Sequence, residues 1–335
     1  MKKLKIGILG MGRIGQVHLK NIQNRIENAE VVAVMNPSER GQSFAKNRNV
    51  KAVSGDPEIV LENDEVDAVF ICSPSDTHAE YITRAAMTGK AIFSEKPLDL
   101  SLSNIEEILK VTDKYKVPMM VAFNQRFDPD FAKIKSSVVN NEVGDLRTIK
   151  ITSRDPAPPP IDYIKSSGGI FLDMTIHDFD MARFIADSEV REVYAVGKNL
   201  VDPAIGEAGD VDSIVVILTF ENEATAVIEN CRQSAYGYDQ RLEVFGSKGM
   251  VQAENRSSNY HILSNETGRH HSRTMDFFMD RYEESYYLET IAFIQAISRS
   301  ETPPVTGIDG LKATKIALAA YKSMQQKRPV LISEI

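Results

Sequence analysis

The residues of this chain best suited to moving a proton lie in one stretch, Gly168-Gly169-Ile170-Phe171-Leu172-Asp173-Met174-Thr175-Ile176-His177-Asp178-Phe179-Asp180. Read as a helix opened by two glycines, it sets Asp173, His177 and Asp180 at i, i+4 and i+7, on one face. A carboxylate one turn from an imidazole orients the ring and stabilises its charged form, which a general base requires. Phe171, Met174 and Ile176 can pack elsewhere, and Asp178 has no chemical role to assign. A solvated acidic face with a capping histidine gives the same pattern. The rest of the chain has to supply an electron acceptor and a charge partner.

A candidate for the acceptor's site is Gly10-Met11-Gly12-Arg13-Ile14-Gly15, which fits G-x-G-x-x-G. The pattern follows an apolar strand and opens a helix, the context it needs. Gly10 permits the tight turn, Gly12 lets backbone approach a pyrophosphate, and Gly15 allows close helix–strand packing. The helix N-terminus adds donors and positive potential. The alternative is a flavodoxin-like sheet with a glycine turn and no nucleotide. Where an acid would accept from a ribose 2′-hydroxyl and repel a 2′-phosphate, the chain carries Asn36, with Ser38, Arg40 and Arg13 nearby. NAD and NADP both stay open.

These side chains need a scaffold. Apolar strands at Leu4–Leu9, Glu30–Met35, Asp67–Cys72, Ala91–Ser94 and Val117–Phe123 alternate with helices at Arg13–Asn24, Ser38–Asn47, Ser75–Thr88 and Ser101–Tyr115. Short, continuously apolar strands between helices indicate a doubly wound parallel sheet. After Phe123 a helix near Asp130–Asn140 precedes a strand at Leu146–Ser153, a proline-rich loop at Pro156–Pro160 and a Gly168–Ala186 helix. Strand-like runs follow at Val190–Leu200, Ser213–Phe220, Ala224–Gln233, Gln240–Phe245, Met250–Glu254 and Tyr260–Leu263, with a hairpin turn at Ser247-Lys248-Gly249. They predict a large, mostly antiparallel open sheet. Helices at Arg281–Arg299 and Ile308–Gln326 and a strand at Val330–Ser333 close the chain. The fold class is α/β, with a dinucleotide-binding domain over 1–123 and a substrate and oligomerisation domain over 124–305.

Composition excludes several partners. A net charge of −8 argues against nucleic acid and anionic membranes. Cys72 and Cys231 make no disulfide framework and suit a reducing cytoplasm. The basic start, Met1-Lys2-Lys3, before a short apolar run loosely resembles a signal peptide, but Arg13 and three glycines interrupt it and no small-residue cleavage site follows. No apolar run approaches the ~20 residues of a membrane span. His18 reads as packing, His261 as part of an edge strand, and His270-His271 as a polar loop, so no metal site is expected.

Gly10–Gly15, Cys72-Ser73-Pro74 with His78, Glu95-Lys96-Pro97 and Gly168–Asp180 together resemble the signature set of the Gfo/Idh/MocA oxidoreductases, over essentially the whole chain. Arg154-Asp155-Pro156-Ala157-Pro158-Pro159, Gly168–Arg183 and Tyr236-Gly237-Tyr238-Asp239-Gln240-Arg241 are similar to its inositol-oxidising branch. The resemblance implies hydride transfer from a cyclitol ring carbon to NAD or NADP. His177 would be the base, Asp173 its orienting acid, and Lys96 the cation at the developing alkoxide. Ser73, Pro74, His78, Glu95 and Lys96 would join Gly10, Gly12, Arg13, Ile14, Gly15, Asn36 and Arg40 around the cofactor. Arg126, Asp155, Asp180 and Tyr236 would join Asp173 and His177 around the substrate, although Asp155 stands where some inositol enzymes carry Asn. The resemblance also implies that 306–335 returns to the first domain, and that the open sheet face builds a homodimer or homotetramer. Two other classes stay open: a metal-dependent hydrolase using His177-Asp178, and a non-catalytic nucleotide-sensing regulator.

Overall fold

The computed structural model describes residues 3–335, so the Met1-Lys2 part of the basic start lies outside the described residues. The chain divides into two compact units, Met1–Phe127 with Glu284–Lys312, and Asp128–Glu283 with Ala313–Ile335.

The first unit alternates β1 (Leu4–Leu9), α1 (Arg13–Arg25), β2 (Ala29–Met35), α2 (Glu39–Lys46), β3 (Ala52–Ser54), α3 (Glu58–Leu61), β4 (Ala68–Ile71), α4 (His78–Met87), β5 (Ala91–Ser94), α5 (Leu102–Tyr115) and β6 (Met119–Val121). The strands form a sheet in the order β3-β2-β1-β4-β5-β6, parallel throughout. Every residue of β4 and β5 is buried, as helices on both faces require. Phe70 of β4 and Phe93 of β5 stack at 4.5 Å, and Phe293 meets both edge-on at 5.4 and 5.5 Å. Strand order reverses at β1, between β2 and β4. The carboxyl ends of strands at such a switch point form the ligand crevice of a doubly wound sheet. Leu9 is in register with Met35 and with Ile71, so the Gly10 turn, Asn36 and Cys72-Ser73 emerge together at that end. A hollow of about 1390 Å³ is lined by Lys5, Arg25, Ala29 and Lys51 at the opposite strand ends and holds none of the candidate cofactor residues.

The second unit contains α6 (Pro129–Val139), β7 (Leu146–Arg154), α7 (Ile161–Ser166), α8 (Gly169–Asp173), α9 (Ile176–Ala186), β8 (Val190–Lys198), α10 (Pro203–Glu207), β9 (Ser213–Phe220), β10 (Thr225–Cys231), β11 (Asp239–Gly246) and β12 (Met250–Ala253). A separate hairpin, β13 (Ile262–Asn265) and β14 (Gly268–His271), and α11 (Phe278–Arg281) follow. The chain then runs through α12 (Glu283–Arg299), which from Glu284 belongs to the first unit, and α13 (Gly307–Gln326), which from Ala313 belongs to the second, to β15 (Val330–Leu331). The large sheet runs β12-β11-β7-β10-β9-β8-β15, and only β7 and β10 pair parallel. Its strands alternate: Ile214, Val216, Leu218 and Phe220 of β9 are buried while Val215 and Ile217 are exposed. Among the described residues no helix is long and apolar enough to cross a membrane.

Three expectations change. The Gly168–Ala186 helix is two helices, α8 and α9, broken at Met174-Thr175. The Ile170 carbonyl collects the Met174 and Thr175 backbone N–H groups and the Thr175 hydroxyl, at 3.0, 2.9 and 3.1 Å, which ends α8. Asp173 therefore closes one helix and His177 lies in the first turn of the next, not on one continuous face. The Arg281–Arg299 helix likewise divides at Tyr282 into α11 and α12. Finally, 306–335 does not return to the first unit as one piece. Glu284–Lys312 joins that unit, whereas Val330 and Leu331 pair with Val193 and Glu192 on the free edge of β8.

Candidate active site

In the first unit the glycine turn has the form a dinucleotide needs. Gly10 has φ +97°, and a Cβ there would lie 2.5 Å from the Cys72 carbonyl oxygen. A Cβ on Gly15 would lie 2.0 Å from the Gly10 oxygen, so α1 packs directly on the turn. A Cβ on Gly12 would meet nothing within 4 Å. Open space over a backbone that starts a helix suits a pyrophosphate. Ile14 lies in the first turn of α1, and Arg13 and Arg40 are exposed at the starts of α1 and α2. Asn36 is buried, and its side chain works within the protein. Its Oδ1 accepts from the Met11 N–H at 2.8 Å, and its Nδ2 donates to Ser38 Oγ at 2.8 Å.

The Ser73-Pro74 turn is braced from two sides. Ser73 Oγ bonds Thr77 Oγ1 at 2.6 Å. His78 is 1% exposed, with one ring nitrogen 2.7 Å from the Pro97 carbonyl oxygen and the other 2.9 Å from that of Ser73. His78 thus ties the Ser73 turn to the Glu95-Lys96-Pro97 segment, and sequence could suggest only a lining role. Glu95 turns its carboxylate toward His18 Nε2 at 3.5 Å, and Lys96 is half-buried beside it. Arg126 donates to Asp309 Oδ1 at 2.9 Å.

In the second unit Asp173 is clamped. Its Oδ1 accepts from the Tyr163 hydroxyl at 2.8 Å and its Oδ2 from Arg232 Nη1 at 3.2 Å. Arg232 is 1% exposed, the largest fully buried side chain, and Asp210 lies against its other terminal nitrogen at 3.5 Å. Asp210 also accepts from the Ile170 N–H at 3.0 Å, pinning the start of α8. Neither Arg232, Asp210 nor Tyr163 was a candidate from sequence, because only the sheet and the short helices bring them to Asp173.

Asp180 is buried in α9, and the neighbouring Arg183 holds Glu189 through two bonds of 3.0 and 2.9 Å. Asp155 follows β7, with its N–H on the Cys231 carbonyl at 3.0 Å. The Tyr236 hydroxyl donates to Asp239 at 2.6 Å and accepts from Arg154 at 2.5 Å. Burial would raise Asp239, but hydrogen bonds from Arg241, Tyr236 and Asn255 outweigh it and hold the carboxyl below the usual range.

Asp178 is a structural acid. It is fully buried under Ser153 Oγ at 2.8 Å and Asn230 Nδ2 at 2.7 Å, and burial pushes its carboxyl up to about 7. A raised folded value means its stabilising contribution is whole below about 4 and is lost as pH climbs toward 7. Asp178→Asn should therefore gain stability over the parent by about 1.4 kcal/mol per pH unit across that window. Denaturant unfolding of both proteins at several pH values checks this, and a constant difference would contradict it.

Comparison with known proteins bears on both units. Residues 4–123 match the family model described as "Oxidoreductase family, NAD-binding Rossmann fold", and residues 131–252 match the "GFO/IDH/MocA C-terminal domain". The chain belongs to the Gfo/Idh/MocA oxidoreductase family. Within that family it is 45% identical to the "Myo-inositol 2-dehydrogenase" of Thermotoga maritima, covering 99% of both chains. It is 44% identical to the "Inositol 2-dehydrogenase" of Rhizobium meliloti, covering 98% of this chain and 99% of the other. The crystal structure of Lactobacillus casei scyllo-inositol dehydrogenase with bound NAD(H) and scyllo-inositol superposes with a TM-score of 0.93 at 32% identity, over 99% of this chain and 100% of that one. The glycine turn described above is accordingly that of a Gfo/Idh/MocA NAD-binding domain.

Proposed function

We propose that the protein is an NAD-dependent inositol dehydrogenase that oxidises a ring CH–OH group of a cyclitol to the ketone. The observation that carries this reading is Asp173, held at both oxygens just before the helix that bears His177. The names of the 45% and 44% identical relatives support the substrate class. Bound nicotinamide supplies the hydride acceptor. The hydroxyl proton passes to an imidazole nitrogen of His177, and Asp173 holds the ring and balances the imidazolium that forms. Lys96 sets its ammonium against the hydroxyl oxygen, where negative charge develops as the C–H bond breaks. Asp155, Asp180, Arg126 and Tyr236 read the other hydroxyls, each carboxylate accepting from two neighbours. Gly10, Gly12, Arg13, Ile14, Gly15, Asn36, Arg40, Ser73 and Pro74 form the cofactor site, supported by His78 and Glu95.

The proposal extends to assembly. Tyr194 faces Ile217 and Val196 faces Val215 across β8 and β9, all four exposed, leaving an apolar outer sheet face suited to a homodimer or homotetramer. Two free cysteines suit the cytoplasm.

A panel of inositols and aldoses with NAD and NADP, followed by absorbance of reduced nicotinamide, tests the reading. Turnover of at least one inositol well above every aldose is expected. Cofactor binding without turnover of any cyclitol would favour a nucleotide-sensing regulator, and activity abolished by chelator would favour the hydrolase.

A further inference from the structure

Three acid–base side chains from separate segments of the first unit meet out of solvent, namely His18 in α1, Glu95 after β5 and Glu289 in α12. Their polar atoms lie within 4.8 Å of one another, with His18 Nε2 3.5 Å from Glu95 Oε1 and 3.9 Å from Glu289 Oε1. The His18 and Glu289 side chains are fully buried, and that of Glu95 is 14% exposed. Phe70, Phe93 and Tyr286 pack their rings around His18. Besides Tyr286, Cys72 faces the cluster, its thiol pushed up by burial and then by Glu95 and Glu289.

Hydrogen-bond accounting fixes the imidazole. The single Thr290 hydroxyl proton goes to the Tyr286 carbonyl at 2.6 Å, so its oxygen accepts from His18 Nδ1–H at 2.9 Å. Nε2 is left facing the two acids. Both oxygens of Glu289 lack a hydrogen-bond partner, and among the described residues its sole ion-pair partner is His18. Two ionised carboxylates and a neutral ring at this site would bury uncompensated like charge. One proton held between the three groups removes that cost.

We propose that His18, Glu95 and Glu289 share a buried proton seated mainly on Glu289, and that this triad is a positioning device for Lys96. Burial, and then Glu95, push the Glu289 carboxyl well above the usual carboxylate range, in keeping with this. The link to Lys96 is covalent and short. Glu95 is fixed by its N–H on the Ile71 carbonyl at 2.9 Å and by its side chain in the triad, and Lys96 is the next residue. The proton assignment stands by itself, whereas the positioning role rests on the function proposed above for Lys96.

The test compares the parent with Glu289→Gln and Glu289→Ala in the full chain with NAD. Glutamine copies a protonated acid and does not titrate. The parent's melting temperature should therefore fall relative to Glu289→Gln as pH rises from about 5 to about 9, because a raised carboxyl loses its stabilising contribution as it ionises. A difference independent of pH, or a stoichiometric divalent metal in the purified parent, would overturn the proton assignment. In turnover, Glu289→Ala should lose about tenfold or more in kcat with little change in NAD affinity, and Glu289→Gln should recover most of it. Failure of Gln to recover more than Ala would overturn the positioning role. Should Lys96→Ala retain turnover, the reading of Lys96 fails, while the melting comparison still decides the proton.

Discussion

His177→Asn should lower kcat for inositol oxidation by about 10²–10⁴-fold, the usual contribution of a positioned general base. Lys96→Met should lower it by about 10²–10³-fold, since a cation aimed at developing alkoxide acts in the transition state rather than the ground state. NAD affinity, followed by fluorescence titration, should stay within a few-fold of the parent in both, because neither side chain belongs to the glycine turn. The two losses should not multiply in the double variant, since proton removal and oxyanion stabilisation serve one step. Retained turnover in either single variant would remove that residue from the mechanism.

The second large effect is expected at Arg232. Its guanidinium is almost wholly enclosed and lies between Asp173 at 3.2 Å and Asp210 at 3.5 Å. Arg232→Gln removes the cation that these two acids share in a low-dielectric setting. Breaking a buried pair in this way costs about 3–5 kcal/mol, which for a unit of this size lowers the melting temperature by roughly 10 °C. It also removes the Arg232 bond that helps to hold Asp173, and a small misplacement of the dyad costs about 10²-fold in rate. Kinetics below the melting transition separate the two consequences. Adding Asp210→Asn should restore part of the stability by removing one of the two charges that Arg232 balanced, while kcat stays low because Asp173 still lacks its Arg232 bond. Recovery of kcat in that double variant would mean that Arg232 acts only through folding.

These two sites mark the boundary of what was legible in the sequence. The parallel sheet could be read because strands such as Ala68–Ile71 are apolar without interruption, and the glycine turn because its three glycines each answer a steric demand visible locally. The antiparallel second sheet could be read because its strands alternate. By contrast, Ala52–Ser54 is too short to carry a period, so β3 was missed. The α8–α9 break hangs on the Thr175 side chain folding back to Ile170, which competes with a helical pattern that looks continuous. Arg232 follows a strand like many surface arginines, and nothing local says that it is enclosed. Its partners lie 59 and 22 residues away in sequence. Asp178, without a role in sequence, proves to be a buried bracket between Ser153 and Asn230.

The pairing of β15 with β8 has a consequence for behaviour in solution. Unpaired, β8 would offer a row of free N–H and C=O groups at the rim of the sheet, a template for any passing strand. Two residues cover part of it, with Val330 fully buried, and a clasp behind them ties Arg328 to Glu334 at 2.6 Å, holding the Glu334 carboxyl down at about 2. Loosening that clasp would bare the rim of β8 to strand pairing with other copies of the chain.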